Sequence, residues 1–479
     1  MIGSIARRGL LAFAFGLVAL GAAPRTTVAQ ALPAYSSAAG MLHIGKDPER
    51  PDAEMFHVDY ILKEADPATR PVTFLFNGGP GAASIYLHMS AIGPKTVVTA
   101  GDGSFPAVPA RLQENPDSWI RFTDLVFLDP IGTGYSRMLP GPDGAPRDAK
   151  PYEGVVGDLD SIAIFIRQWL TVNKRWGSPK AIAGESYGGQ RVAALSRILA
   201  EQYAINLNRA ILLSPAFYLD LAEPHYSLVA PMTLLPTQAA IAAYHGLNKL
   251  GDDPAALKAV EDYAQTDYLT GLATLGHASA AQRAAFFAKV GGLIGLDPAF
   301  VERHNGRVSE SVYAVNLLAS RGQVIDTYDG TQVSDNPNPD QGDMVLLDRS
   351  LTVLGGVLLA PFMDYLRNDL QYVSDRPYIV LDLNLNRRWD RSAPLGGPDD
   401  LAIALAQNHD LKALVVHGYH DMVSNYMMSR YVLEQATRSR GARERLYFGT
   451  YPGGHMFYLR TKSRAEMAAD VRGFFEGKP

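Results

Sequence analysis

Residues Gly184-Glu185-Ser186-Tyr187-Gly188 follow the largely apolar run Pro179-Lys180-Ala181-Ile182-Ala183 and precede Gln190-Arg191-Val192-Ala193-Ala194-Leu195-Ser196-Arg197-Ile198-Leu199. Apolar residues in the second run recur at helical spacing. A serine between two glycines also fits an ordinary turn. Placed between a strand and a helix, it fits a nucleophile elbow, a sharp turn that lifts the serine hydroxyl clear of a sheet edge. Such a turn strains the serine backbone and leaves no room for a side chain at either flanking glycine. It also points the next backbone N–H toward the place where an oxyanion would form. No other pentapeptide in the chain restricts the fold so narrowly.

The 479 residues suffice for one large domain with an elaborate insertion, or for two domains. At 47% hydrophobic and 19% charged, the composition excludes a disordered chain. With no cysteine, neither a disulfide nor a thiolate metal site can form. Arg7 and Arg8 precede the apolar stretch Gly9–Leu20, and small residues lead on to Ala29-Gln30-Ala31, an A-x-A cleavage signature. Residues 1–31 therefore read as a signal peptide, for which Arg7-Arg8 leaves a twin-arginine route open, with an uncleaved anchor as the competing reading. The apolar stretch is short for a membrane span. Removing the three arginines of this segment, which carries no acid, takes the formal net charge from −5 to −8. A mildly acidic exported chain without a basic, aromatic-laced stripe is a poor partner for nucleic acid.

Beyond residue 42 the chain falls into three parts. From 43 to about 220, strands are predicted at 72–76, 124–129, 181–183 and 209–213, with a helix over 157–169. Strands alternating with helices imply a mostly parallel sheet. From 221 to 370 helical segments follow one another at 237–250, 255–268, 280–294, 297–303 and 310–318, then a polar loop at 326–348. This stretch reads as a helical cap inserted into the sheet domain, whose second part is 371–479. Strands return at 414–416 and 445–448, and a helix at 463–475 closes the chain.

A serine hydroxyl becomes a competent nucleophile only beside a base that an acid orients. Asp421 follows the strand at 414–416, and His455 follows the next one, after Gly453-Gly454. In a parallel sheet, residues after the carboxyl ends of strands gather on one edge. Ser186, Asp421 and His455 are thereby expected together, in the chain order of an α/β-hydrolase. His417 and His420 are the rival bases. His417-x-x-His420-Asp421 also resembles a fragment of a metal site, but no third ligand cluster accompanies it. The second oxyanion donor is expected from Gly79, in Asn77-Gly78-Gly79-Pro80-Gly81 after an early strand, to complement the N–H of Tyr187. That loop lacks the lysine and the glycine spacing of a phosphate cradle.

Asn77-Gly78-Gly79-Pro80-Gly81, Asn115-Pro116-Asp117-Ser118-Trp119, Asp129-Pro130-Ile131-Gly132-Thr133-Gly134-Tyr135-Ser136 and Gly184-Glu185-Ser186-Tyr187-Gly188-Gly189 together resemble the serine carboxypeptidase family. Gly418-Tyr419-His420-Asp421 and Gly453-Gly454-His455-Met456 resemble its aspartate and histidine loops. The resemblance implies an α/β-hydrolase fold, Ser186 as nucleophile, His455 as base, Asp421 as its orienting acid, and Gly79 and Tyr187 as oxyanion hole. It further implies that Asn77, Gly78 and Glu185 bind the substrate's C-terminal carboxylate, with a proton shared between the two acids at acidic pH. Glu185 could instead make a structural hydrogen bond beneath the elbow. No metal or organic cofactor is implied.

The chain departs from the family pattern at three places. Leu75-Phe76 stands before Asn77 where tryptophan is usual, Ala82 stands where cysteine is common, and Met89-Ser90-Ala91-Ile92-Gly93 lacks the glutamate that completes the carboxylate-binding network. The expected function is an exported carboxypeptidase acting on peptides with a free C-terminus through an acyl-enzyme. An esterase or acyltransferase using the same triad is the alternative, and a non-catalytic hydrolase-fold binding protein the third reading.

Overall fold

The computed structural model describes residues 31–47, 49–217, 226–251, 253–340, 348–393 and 396–478. The predicted signal peptide lies outside them except for Ala31. A nine-stranded mixed sheet organises the unit Leu32–Pro479. Its strands are β1 (Tyr35–Ile44), β2 (Ala53–Leu62), β3 (Val72–Phe76), β4 (Asp124–Leu128), β5 (Arg137–Met138), β6 (Lys180–Glu185), β7 (Arg209–Leu213), β8 (Lys412–Gly418) and β9 (Leu446–Tyr451). The spatial order is β1-β2-β4-β3-β6-β7-β8-β9, with β5 paired to β2. From β4 to β9 every pairing is parallel, whereas β1, β2 and β5 join antiparallel.

Both faces of the parallel part are buried, so its strands read as continuous apolar runs. Alternate residues serve opposite layers. Phe74, Ile182, Leu212 and Val415 face one core, with Ile162, Phe165 and Trp169 of α1 (Val155–Val172) and Val192 and Leu195 of α2 (Tyr187–Tyr203). Leu75, Ala183, Leu213 and Val416 face the other. There they meet Leu354, Leu358 and Phe362 of the helix Leu354–Asn368, and Met467 and Val471 of the C-terminal helix Thr461–Glu476. Each such fully buried aliphatic or aromatic side chain stabilises the fold by about 1.5–3 kcal/mol.

A third apolar cluster is built from residues between 232 and 318, most of them on helices, together with Ile325 and Met422. Its first helix, α3 (Val229–Tyr244), starts eight residues before the predicted 237 and carries Pro236 inside it. The proline is tolerated inside the helix because burial of the surrounding turns holds the helix across the lost hydrogen bond. The helix Ala280–Ile294 matches its predicted span, fixed by a Ser279–Gln282 capping box and by Gly295 at a φ of 73°. The predicted loop 326–348 contains a short strand, Val333–Asp335, paired with Gln323–Ile325.

Candidate active site

β6 runs directly into α2, and Ser186 stands at their junction with φ 60° and ψ −125°. A Cβ at Gly184 would come within 2.2 Å of the Gly188 carbonyl oxygen, and one at Gly188 within 2.8 Å of that of Phe76. The flanking glycines are therefore required by close backbone approach. Ser186 N–H donates to the Leu213 carbonyl at 2.9 Å, tying the elbow to the neighbouring strand β7.

The glycine loop after β3 sits against the N-terminus of α2. A Cβ on Gly78 would lie 2.5 Å from Tyr187 N. Tyr187 is the first residue of α2, so its N–H has no intrahelical partner, and Gly79 N–H donates to no backbone carbonyl among the described residues. Arg191 holds this arrangement. Its buried guanidinium donates to the Asn77 carbonyl at 2.7 Å and forms a bidentate pair with Asp158 of α1 at 2.7 and 2.9 Å. The guanidinium also lies 4.9 Å from the centre of the Tyr187 ring.

Asp421 and His455 leave the ends of β8 and β9 and meet. His455 Nδ1–H donates to Asp421 Oδ2 at 2.8 Å, and both side chains are buried. Asp421 Oδ1 accepts the N–H groups of Val423 and Ser424, each at 2.9 Å. The Ser424 hydroxyl lies 2.6 Å from Asp421 Oδ2, 2.9 Å from His455 Nδ1 and 3.0 Å from the Ser214 carbonyl. Burial raises Asp421, but His455 and the Ser424 hydrogen bonds outweigh it and hold the carboxyl below its ordinary range. Burial pulls His455 down, but Asp421, with smaller help from Glu185 and Asp348, holds the ring above its ordinary 6.5.

Ser186 and His455 line one cavity of about 160 Å³, whose wall also includes Asn77, Gly78, Gly79 and Glu185. Glu185 is buried beside the serine. Asn77 Nδ2 donates to its Oε2, and the Tyr458 hydroxyl donates to its Oε1 at 2.5 Å. Asn77 Oδ1 accepts the Leu87 N–H at 3.0 Å, which fixes the direction of that amide. Burial pushes the Glu185 carboxyl up to about 7, against the pull of His455 and these two hydrogen bonds. At the 88–92 turn the side chains are buried, and His88 pairs with the Tyr60 hydroxyl at 2.7 Å.

The rival histidines lie elsewhere. His417 is buried within β8, and burial lowers it to about 4. His420 accepts the Gly453 N–H at 3.2 Å and faces the Tyr244 ring. Among the described residues no group of three or more His, Asp or Glu side chains is placed to hold a metal ion.

The sequence profile of the serine carboxypeptidase family matches residues 28–217, the stretch that carries the glycine loop and the elbow. Over this segment the chain is similar to the serine carboxypeptidase family. A pheromone-processing carboxypeptidase of Pyrenophora tritici-repentis is 30% identical over 166 residues, which is 33% of this chain and 22% of that protein. A serine carboxypeptidase-like protein of Arabidopsis thaliana is 29% identical over 159 residues, 33% of each chain. The match thus spans a third or less of the length of these curated relatives. Over the whole fold, the crystal structure of a prohormone-processing carboxypeptidase from Saccharomyces cerevisiae aligns with 93% of this chain and 91% of its own. The TM-score is 0.57 at 15% identity. The fold is that of an α/β-hydrolase. Among the described residues no helix is long and apolar enough to cross a membrane.

Four residues at the candidate site carried no recognised signal in the sequence: Arg191, Ser424, Tyr458 and Tyr328. Ser424 could have been found from the Asp421-x-x-Ser424 spacing, which suits a carboxylate that caps the turn after it. Tyr328 belongs to the predicted loop 326–348. Its carbonyl accepts the His455 N–H at 2.6 Å, and its ring lines the cavity.

Proposed function

We propose that this chain is an exported serine carboxypeptidase-like hydrolase that removes C-terminal residues from peptides. Ser186 attacks the scissile carbonyl while His455 takes its proton, and Asp421 holds the imidazole in the tautomer that can do so. The N–H groups of Gly79 and Tyr187, at the positive end of α2, receive the oxyanion. His455 then protonates the leaving amine, and water hydrolyses the acyl-enzyme. Asn77, Gly78 and Glu185 receive the terminal carboxylate. A protonated Glu185 donates to that carboxylate instead of repelling it, which favours free-acid peptides on the acid side of about 7. The helical stretch 221–370, apart from the helix Leu354–Asn368 whose apolar side joins the main core, caps the core portions 43–220 and 371–479. The signal-like N-terminus supports export.

One observation carries this reading: the strained Ser186 elbow shares a cavity with a His455 that is hydrogen-bonded to a buried Asp421. Ser186→Ala is expected to abolish release of amino acids from peptides with free C-termini. Undiminished turnover would sink the assignment. An esterase or acyltransferase on small molecules is favoured by the 88–92 turn, which offers no second acid to a terminal carboxylate. Equal rates on a free-acid peptide and its amide, with a faster ester, would select that reading.

A further inference from the structure

We propose that the cavity over Ser186 selects peptides whose C-terminal residue carries an uncharged, apolar side chain, and that Leu351, Leu381, Leu383 and Met456 form the selecting wall. The inference rests on the carboxypeptidase reading and goes one step beyond it.

The four wall residues are half-buried, and each lines the cavity. None of them belongs to the glycine loop or the elbow. Leu381 and Leu383 are held against the glycine loop by backbone bonds on either side of them. Ala83 N–H donates to the Val380 carbonyl at 2.9 Å, and Asp382 N–H to the Gly81 carbonyl at 2.9 Å. Leu351 lies on a short helix opened by Asp348. Met456 follows His455 directly. The wall is therefore built from three separate stretches and moves little when one side chain changes.

The charge of the wall sets the preference. Among the described residues this cavity has one acid on its wall, Glu185, and no lysine or arginine. Both Glu185 oxygens already accept hydrogen bonds from Asn77 and Tyr458. A C-terminal lysine or arginine would enter without a counter-charge, and a C-terminal aspartate would find only His455. Burying an unpaired charge is strongly unfavourable, whereas an aliphatic side chain gains from leaving water. Glu185 and Asn77 share this space with Ser186, so the side chain that fits is the one beside the terminal carboxylate.

The test compares N-blocked dipeptides that differ only in a last residue of Leu, Lys or Asp, assayed with the full chain. The expected kcat/KM for Leu exceeds those for Lys and Asp by about 100-fold or more. In Leu383→Asp the Leu-to-Lys ratio is expected to fall at least about tenfold. Leu351→Asp serves if that variant does not fold. Wild-type rates on Lys within about threefold of those on Leu would overturn the inference, and an unchanged ratio in both variants would overturn the assignment of the wall. If no peptide is cleaved while a fluorophosphonate still labels Ser186, the carboxypeptidase reading itself fails. Selectivity is then read from protection of Ser186 against the label by N-acyl-Leu and N-acyl-Lys. Protection by the Leu compound alone supports the apolar wall; equal protection, or none from either, overturns it.

Discussion

The backbone N–H of His455 donates to the carbonyl of Tyr328 at 2.6 Å, and their rings meet edge-on with centroids 4.9 Å apart. A loop distant in sequence thus holds the histidine in addition to Asp421. The same loop reaches the aspartate, because Met422 N–H donates to the Thr327 carbonyl at 3.1 Å. Its own position is set by Asp348, whose carboxylate accepts from Thr327 N–H at 2.7 Å and from its hydroxyl at 2.5 Å. The segment 327–328 is a strut between the helical insertion and the two loops that carry His455 and Asp421.

Gly454 lets the strut approach. A Cβ there would stand 2.2 Å from the Tyr328 carbonyl oxygen and 2.4 Å from Asp329 Cα. Gly454→Ala must push strut and histidine apart. A displacement of an ångström at a reacting group costs about 100-fold in rate. The expected result is a loss of that size in kcat with a smaller change in KM. Steady-state kinetics alongside a melting curve would check it, since simple unfolding would lower the active fraction without altering KM.

Ser424 is expected to matter for rate more than for binding. Its hydroxyl touches Asp421, His455 and the Ser214 carbonyl, and it lies outside the substrate cavity's wall. Ser424→Ala leaves the Asp421–His455 contact with one constraint fewer and lowers kcat by about tenfold, the worth of one hydrogen bond to a charged group. Ser424→Thr keeps the hydroxyl and should recover most of that loss. Equal kcat in the Ala and wild-type enzymes would show that the backbone N–H groups alone orient Asp421.

Short-range constraints made much of the site legible in the sequence. An elbow needs its glycines within a few residues of the serine, and the parallel strands needed only to be apolar. Strands β1 and β2 were not legible. β2 buries Glu54, His57 and Asp59 among its apolar residues, which breaks the run that marks a strand. Their partners explain the burial: His57 meets Asp59 at 2.8 Å, and Trp169 Nε1–H donates to Asp59 at 2.9 Å. The Tyr328 strut left no trace because it acts through backbone carbonyls, which place no demand on residue type. The helix Leu354–Asn368 read as part of the inserted stretch, yet its apolar side fills the main core, a choice that tertiary packing makes and periodicity does not.

Glu185 gives a pH signature in both stability and activity. Its folded-state pKa of about 7 exceeds the ordinary 4.5, so its stabilising contribution is fully present below 4.5 and is lost as pH rises through about 7. The wild type's stability relative to Glu185→Gln is expected to fall by a few kcal/mol across that window in urea denaturation. The glutamine can still accept from Asn77 and donate to the Tyr458 hydroxyl, which isolates the charge. For activity, KM on a free-acid peptide should rise above pH 7 in the wild type, stay flat on the amide, and stay flat on both in the variant. The negative charge of Glu185 also helps raise His455, so the acid limb of kcat/KM should move to lower pH in the variant.

Arg191 separates stability from catalysis. Arg191→Met leaves Asp158 charged and buried without its partner, an arrangement that costs about 3–5 kcal/mol. The double variant Arg191→Met/Asp158→Leu removes both charges, and its stability should return close to wild type, because apolar residues of similar volume replace buried pairs at little cost. Its kcat should remain low. The 2.7 Å bond from the guanidinium to the Asn77 carbonyl is still missing, and with it the hold on the loop that presents Gly79 to the oxyanion. Urea denaturation and steady-state kinetics on the two variants would check this. Recovery of both stability and kcat in the double variant would mean that packing against α2 positions the glycine loop without the arginine.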